Sequence, residues 1–247
     1  MSVELPGELP AAPDVTHIWW ARPADLPQSL LDRLSAAERA KADALRHEPE
    51  RRRSVTAALL LRAAVGQLTG TPPADLPIVR RCDECGGPHG RPRLTGSALE
   101  LTVTHSGDRV GVGIATGVEI GLDVEPLESA RITEGMADIA CTPNEARWLA
   151  THTGDAYAGA FLRLWTAKEA VLKAFGTGLL KPLTEVDLQP PTDGGPFTGP
   201  VRSGVEAWLY PVDPGSGYVG SLAALAPLGV VREHDGDALL AALTVNG

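Results

Sequence analysis

The sequence predicts an α+β protein made of two similar α/β halves, residues 1–128 and 129–247. Helical patterns followed by a strand–turn–strand unit occur twice, once on each side of the stretch Ser129–Thr142. With 247 residues and 43% hydrophobic content, the chain can bury one large or two modest cores. It has no run of eighteen apolar residues, so these elements belong to a globular fold and not to a membrane span. The doubled order is one of elements only, because no residue-level repeat accompanies it.

Charge narrows the function classes. The formal net charge is −9, which argues against general nucleic-acid binding. That average hides a local excess. From Arg39 to Arg93 eleven basic residues stand against six acidic ones, so this segment is +5 and the remainder −14. A basic cluster on an acidic protein fits a small, multiply charged anion as ligand. Met1–Asp14 is acidic and proline-rich, unlike a signal peptide, and a cytoplasmic location is expected. The three cysteines, Cys82, Cys85 and Cys141, do not make a disulfide framework.

In chain order, Val15–Ala21 reads as an opening strand that closes in a turn around Pro23. Ser35 with Glu38 three residues on is a capping box at a helix start. Glu48-Pro49 ends that helix, and a second is expected from Glu50 to Leu68, with Val55, Leu59 and Ala63 at helical spacing. Arg51, Arg52 and Arg53 fall in its first turn, where three arginines read first as a solvated face. Gly70–Pro73 is a turn, and Arg80–Pro92 is a loop. Within that loop Cys82, Cys85 and His89 look like half of a zinc site, but no second ligand pair follows at the usual spacing.

Three strands come next. Leu99, Leu101, Val103 and His105 alternate, Ser106-Gly107-Asp108 turns, and Val110, Val112 and Ile114 alternate in the return strand. Gly117 turns the chain into Val118–Glu125 as the third strand of this meander. There Val118, Ile120, Leu122 and Val124 fall on one face, and Glu119, Gly121, Asp123 and Glu125 on the other. Asp123 and Glu125 are one strand repeat apart, roughly 6–7 Å between Cα atoms, near enough to share a cation. Gly121 on the same face is expected to leave room for a ligand at the backbone. By itself the face reads first as a solvated acidic surface and second as a hard-metal site.

The second half opens at Thr142-Pro143-Asn144-Glu145, another capping box with proline at N1. Helix then runs, with a break near Thr153-Gly154-Asp155, to Phe175-Gly176. Phe161, Leu164, Trp165, Val171, Leu172 and Phe175 form its core stripe. Lys168 lies within that stripe and must snorkel or find an anion. Glu169 and Lys173 flank it as an i, i+4 pair. Glu185–Leu188, Gly204–Tyr210 and Tyr218–Ala226 read as strands.

Two of these segments together are specific. Gly121-Leu122-Asp123-Val124-Glu125, followed by Trp165-Thr166-Ala167-Lys168-Glu169-Ala170-Val171-Leu172-Lys173, resembles the paired signature of the 4′-phosphopantetheinyl transferases. The first is close to that family's Gly-Ile-Asp-Ile-Glu motif and the second matches its Trp-x-x-Lys-Glu-Ala-x-x-Lys motif. Thr104-His105-Ser106-Gly107 resembles the family's Ser-His-Ser segment, and Gly90-Arg91-Pro92 its Gly-Lys-Pro segment. Arg53-Ser54 in the basic helix also suits it. The length matches the two-halved, Sfp-type branch, whose halves are related by a pseudo-two-fold axis. Arg91 in place of lysine is the departure with most chemical weight, since the two differ in how they meet a phosphate.

The resemblance implies transfer of 4′-phosphopantetheine from coenzyme A to a serine of an apo acyl or peptidyl carrier protein, releasing 3′,5′-ADP. Asp123, Glu125 and Glu169 would hold Mg²⁺, or Mn²⁺ as the alternative ion, through oxygen ligands. Glu169 would take the serine proton, directly or through water. Lys173 would stabilise and protonate the leaving phosphate, and Lys168 would assist electrostatically. Thr104 and His105 would bind phosphate oxygens, with His105 part of the catalytic set. Lys41, Arg53, Ser54 and Arg91 would recognise the 3′-phosphoadenosine end. The implied partners are carrier domains of polyketide, nonribosomal peptide or fatty acid synthases, met by a monomer without nucleic acid or membrane. Two other classes share some of these residues: another Mg²⁺-dependent phosphotransferase or nucleotide hydrolase, and a non-catalytic carrier-binding module.

Overall fold

A computed structural model describes residues 14–82, 85–129, 135–176, 181–201 and 206–245. In chain order the elements are β1 (Val15–Ala21), α1 (Gln28–Leu31), α2 (Ala36–Asp43), α3 (Glu48–Thr69), β2 (Ile78–Arg80), β3 (Pro92–Leu94), β4 (Leu99–Ser106) and β5 (Arg109–Thr116). Then follow β6 (Ile120–Pro126), α4 (Met136–Ala140), α5 (Pro143–Leu149), α6 (Gly154–Phe175), β7 (Gly199–Pro200), β8 (Trp208–Pro211), β9 (Tyr218–Ala224), β10 (Val230–Asp235) and α7 (Gly236–Val245). No helix among the described residues is long and apolar enough to cross a membrane. The α+β class is as expected.

The chain divides into two compact units, residues 1–117 with 229–247, and residues 118–228. This corrects the expected boundary after residue 128. β6 does not continue the meander of β4 and β5; it pairs antiparallel with β9, Asp123 opposite Ser221. The carboxylate strand therefore belongs to the second unit. The C-terminal elements return to the first, where β10 lies parallel to β1 with Val15 opposite Val230.

In the first unit the sheet order is β10-β1-β5-β4-β3-β2. β1 is flanked on both edges, by β10 and β5, and Ile18, Trp19 and Ala21 are fully buried. α3 packs on this sheet, and its Leu59, Leu60 and Leu61 share a core with Val112, Ile114 and Leu243. Pro49 sits in the first turn of α3 and does not precede the helix. Proline fits there because that N–H needs no helical partner.

In the second unit the sheet order is β6-β9-β8-β7, and α6 lies against β6 and β9. Phe161, Leu164, Val171 and Leu172 form its core with Leu183, Leu209 and Ala223. The strand expected at Glu185–Leu188 is replaced by a 3-10 turn at Leu183–Glu185. The start of the one expected at Gly204–Tyr210 lies outside the described residues, and β8 carries its second half.

One device occurs in both units. Ser35 and Glu38 form a capping box on α2, as Thr142 and Glu145 do on α5. Each capping glutamate also takes a buried cation from the long helix that follows. Arg62 of α3 donates from Nε to Glu38 Oε2 at 2.7 Å and from Nη1 to the carbonyls of Pro73 and Leu76. Lys168 of α6 meets Glu145 Oε2 at 2.5 Å and donates to the carbonyls of Ala140 and Leu183. Both cations are the fifteenth residue of a 22-residue helix, and both tie that helix to the 3-10 turn beyond it. The repeat invisible in the residues thus exists as a repeated set of polar contacts.

Candidate active site

Close contact between β6 and α6 builds the site. A Cβ placed on Gly121 would lie 2.0 Å from Ala170 O and 2.4 Å from Ala174 N. Only glycine lets strand and helix backbones approach so nearly. Ala167, Ala170 and Ala174 are all fully buried, a run of small side chains that permits the approach. The room expected at Gly121 for a ligand is therefore filled by the protein's own helix. The acidic face is only partly solvated: Glu119 is exposed and Glu125 half-buried, but Asp123 is 5% exposed.

This approach sets Glu169 and Lys173, one helical turn apart on α6, against the strand. Lys173 Nζ lies 2.6 Å from Asp123 Oδ1 and donates to Leu122 O at 3.2 Å. Glu169 is 8% exposed, and its carboxyl is raised to about 7. Burial is the main cause, joined by repulsion from Asp123 and Glu125, while Lys173 opposes it. Glu169 Oε1 is buried without a hydrogen-bond partner among the described residues.

These features fit a hard cation. Three carboxylates that repel one another, one with an orphaned buried oxygen, are the donor set such an ion takes. Lys173 now supplies positive charge at Asp123. The carboxylate oxygens are not drawn together as tightly as those of another cluster, Cys82, Cys85 and His89, whose ligand atoms all lie within 4.8 Å.

Lys168 departs from its expected catalytic role. It is fully buried, and an ammonium has three donors. All three are accounted for by Glu145, Ala140 O and Leu183 O. Its charge is used to hold α6 in place, so it positions Glu169 and Lys173 and has no donor left for a phosphate.

The remaining candidates lie in the first unit. Arg53 Nη1 donates to Gly107 O at 3.3 Å, which joins the start of α3 to the turn after His105. Ser54 is half-buried beside it. Arg51 and Arg52 pair with Glu48 on the exposed side, and Arg52 also with Asp25. Lys41 is exposed on α2, its ammonium lowered by desolvation and then by the Arg80 charge, with Glu38 opposing. Arg91 Nη1 stands 3.7 Å from Glu100 Oε2. Thr104 and His105 are consecutive on β4, so their side chains take opposite faces: Thr104 is 4% exposed and His105 is exposed.

The family model described as the 4′-phosphopantetheinyl transferase superfamily matches residues 119–220, which includes β6 and α6. A 4′-phosphopantetheinyl transferase of Nostoc, HetI, is 31% identical over 188 residues, covering 74% of this chain and 77% of the relative. The chain belongs to the 4′-phosphopantetheinyl transferase superfamily. A 4′-phosphopantetheinyl transferase of Bacillus subtilis is 28% identical, covering 65% of this chain and 68% of that protein. Among solved structures, a holo-(acyl-carrier-protein) synthase of Bacillus anthracis in complex with CoA aligns at 17% identity and a TM-score of 0.35. That alignment covers 43% of this chain and 95% of the synthase.

In this transferase the residue that sequence reasoning missed is Glu145. It is fully buried, caps α5, accepts from Leu188 N at 2.7 Å and neutralises Lys168. The capping-box pattern located it, but nothing local showed that Lys168 would be its partner twenty-three residues on.

Proposed function

We propose that this transferase moves 4′-phosphopantetheine from coenzyme A to a carrier-protein serine with the groups gathered between β6 and α6. The observation that carries the reading is the Lys173–Asp123 contact at 2.6 Å beside a Glu169 carboxyl raised to about 7. Asp123, Glu125 and Glu169 would hold Mg²⁺, which when bound supplies charge neutralisation at the pyrophosphate. Glu169 takes the proton of the attacking serine hydroxyl, directly or through water. Lys173 meets the charge that develops on the leaving phosphate and returns a proton to it. Lys168 and Glu145 keep the helix that bears both groups in register.

Recognition of the 3′-phosphoadenosine end is assigned to Lys41, Arg53, Ser54 and Arg91, and His105 binds a phosphate oxygen from the exposed face of β4. Arg53 is favoured over Arg51 and Arg52, whose guanidiniums are engaged by Glu48 and Asp25. The enzyme acts as a cytoplasmic monomer on carrier domains of polyketide, nonribosomal peptide or fatty acid synthases.

The test is the mass of an apo carrier protein incubated with coenzyme A, Mg²⁺ and the chain. One phosphopantetheine is added by the native protein and none by Lys173→Ala. Full modification by Lys173→Ala would remove that lysine from the reaction.

A further inference from the structure

The loop between β2 and β3 carries a cluster that the transfer reaction does not use. Cys82, Cys85 and His89 each offer one ligand atom, and the three atoms all lie within 4.8 Å of one another. Cys85 Sγ is 3.0 Å from His89 Nε2. The backbone is wound to bring them together. Cys82 N–H donates to Gly87 O at 2.9 Å, and Gly86 N–H donates back to Cys82 O at 2.9 Å. Gly86 has φ +69°, a left-handed turn directly after the second cysteine that glycine adopts at no steric cost. Gly87 N–H points at Cys85 Sγ from 3.4 Å, which holds the sulfur on the inner side of the turn. Beyond the cluster, Arg80 Nη1 donates to Gly90 O at 2.8 Å and pins the far end of the loop. Neither Cys82 nor Cys85 is in a disulfide.

Two sulfurs and an imidazole nitrogen are the donors of a thiophilic divalent ion, and they differ in kind from the oxygen donors of Asp123, Glu125 and Glu169. We propose that Cys82, Cys85 and His89 form a second metal site, for a zinc-class ion held by Cys82 Sγ, Cys85 Sγ and His89 Nε2 with water as the fourth ligand. On binding, the two thiols release their protons, and the two thiolates cancel the charge of the ion. Water completes the shell because Cys85 and His89 are both exposed. The ion closes the β2–β3 loop on itself and so orders the backbone that leads to Arg91. It takes no part in the transfer chemistry, and its presence does not depend on the reading of the active site.

The full-length chain, reduced and freed of metal by chelation, is titrated with Co²⁺ in the absence of oxygen. The expected result is a thiolate-to-cobalt charge-transfer band that saturates at about one ion per chain and is abolished by added Zn²⁺. Cys85→Ser should weaken binding by at least about a hundredfold, since even outer-shell changes cost about 10–100-fold. Asp123→Ala should keep the band, which separates this site from the carboxylates. The proposal is overturned by a chain that gives no band, by a band that survives Cys85→Ser, or by saturation only at millimolar Co²⁺.

Discussion

At the scale of single residues, Glu169 and Lys168 are neighbours in sequence with opposite duties. Glu169→Gln keeps the shape of the side chain and removes its basicity. Turnover in the carrier mass assay should fall by about 10²–10⁴-fold, while coenzyme A binding measured calorimetrically without metal persists. Its titration also predicts a stability effect in chelator. A carboxyl raised from 4.5 to about 7 in the folded chain keeps its proton there while the unfolded chain has lost it. Its contribution is thus fully present below pH 4.5 and lost as pH rises through about 7. The Tm of Glu169→Gln minus that of the native chain should grow over that interval and then level off; a constant difference would contradict the raised value. Lys168 behaves otherwise. Lys168→Ala leaves Glu145 charged and buried, a loss of about 3–5 kcal/mol. At about 2–4 °C per kcal/mol for a chain this long, Tm should drop on the order of 10 °C. Turnover measured well below the new Tm should fall in part, as α6 shifts and carries Glu169 and Lys173 with it, while the pH profile of turnover stays as in the native chain; an altered pH profile would restore a direct catalytic role.

At the scale of elements, the contact between β6 and α6 decides whether a site exists. Gly121→Ala would place a methyl 2.0 Å from Ala170 O. Because that atom belongs to backbone, no rotamer change relieves it. A loss upwards of about 3 kcal/mol is expected, at the top of the range for overpacked cores, read from the urea midpoint. Activity should fall with it, because moving α6 away from β6 separates Lys173 from Asp123. The first unit has its own sensitive pairing, β1 against β10. His17 Nδ1 lies 2.8 Å from His234 Nε2, and His17 is lowered to about 4 by burial and then by the His234 and Arg232 charges. Between pH 6.5 and about 4 the unfolded chain binds a proton that the folded one refuses, so stability falls as the solution is acidified. His17→Gln should flatten that fall in acid melts.

At the scale of the whole molecule, the net charge of −9 coexists with a +5 segment from Arg39 to Arg93. Within it charge is apportioned unevenly: Arg62 is fully buried and structural, Arg51 and Arg52 are surface pairs, and Arg53 reaches Gly107. Arg53→Ala should therefore weaken coenzyme A more than dephospho-coenzyme A, by about ten- to a hundredfold for a charge-assisted contact worth 1.5–3 kcal/mol. Equal losses for the two ligands would return Arg53 to a solvated face.

Local pattern determined much of this protein. Both capping boxes, the strands β1, β4, β5 and β6 and the helix α6 were legible because each depends on spacing within a few residues. The proposed site residues Asp123, Glu125, Glu169 and Lys173 stood out because they sit in two dense segments that resemble a known family's signature. Three things were decided only by tertiary structure. β6 left the meander because its hydrogen bonds go to β9, nearly a hundred residues on, a choice that alternation along one strand does not encode. β10, with most of its residues exposed, carries too little hydrophobic pattern to announce itself before β1 supplies its partner. And Lys168 and Gly121, which looked like a charge and a space for the ligand, are consumed by the fold. A buried ammonium takes the nearest carboxylate, and a strand without a Cβ lets a helix backbone settle where a substrate was expected.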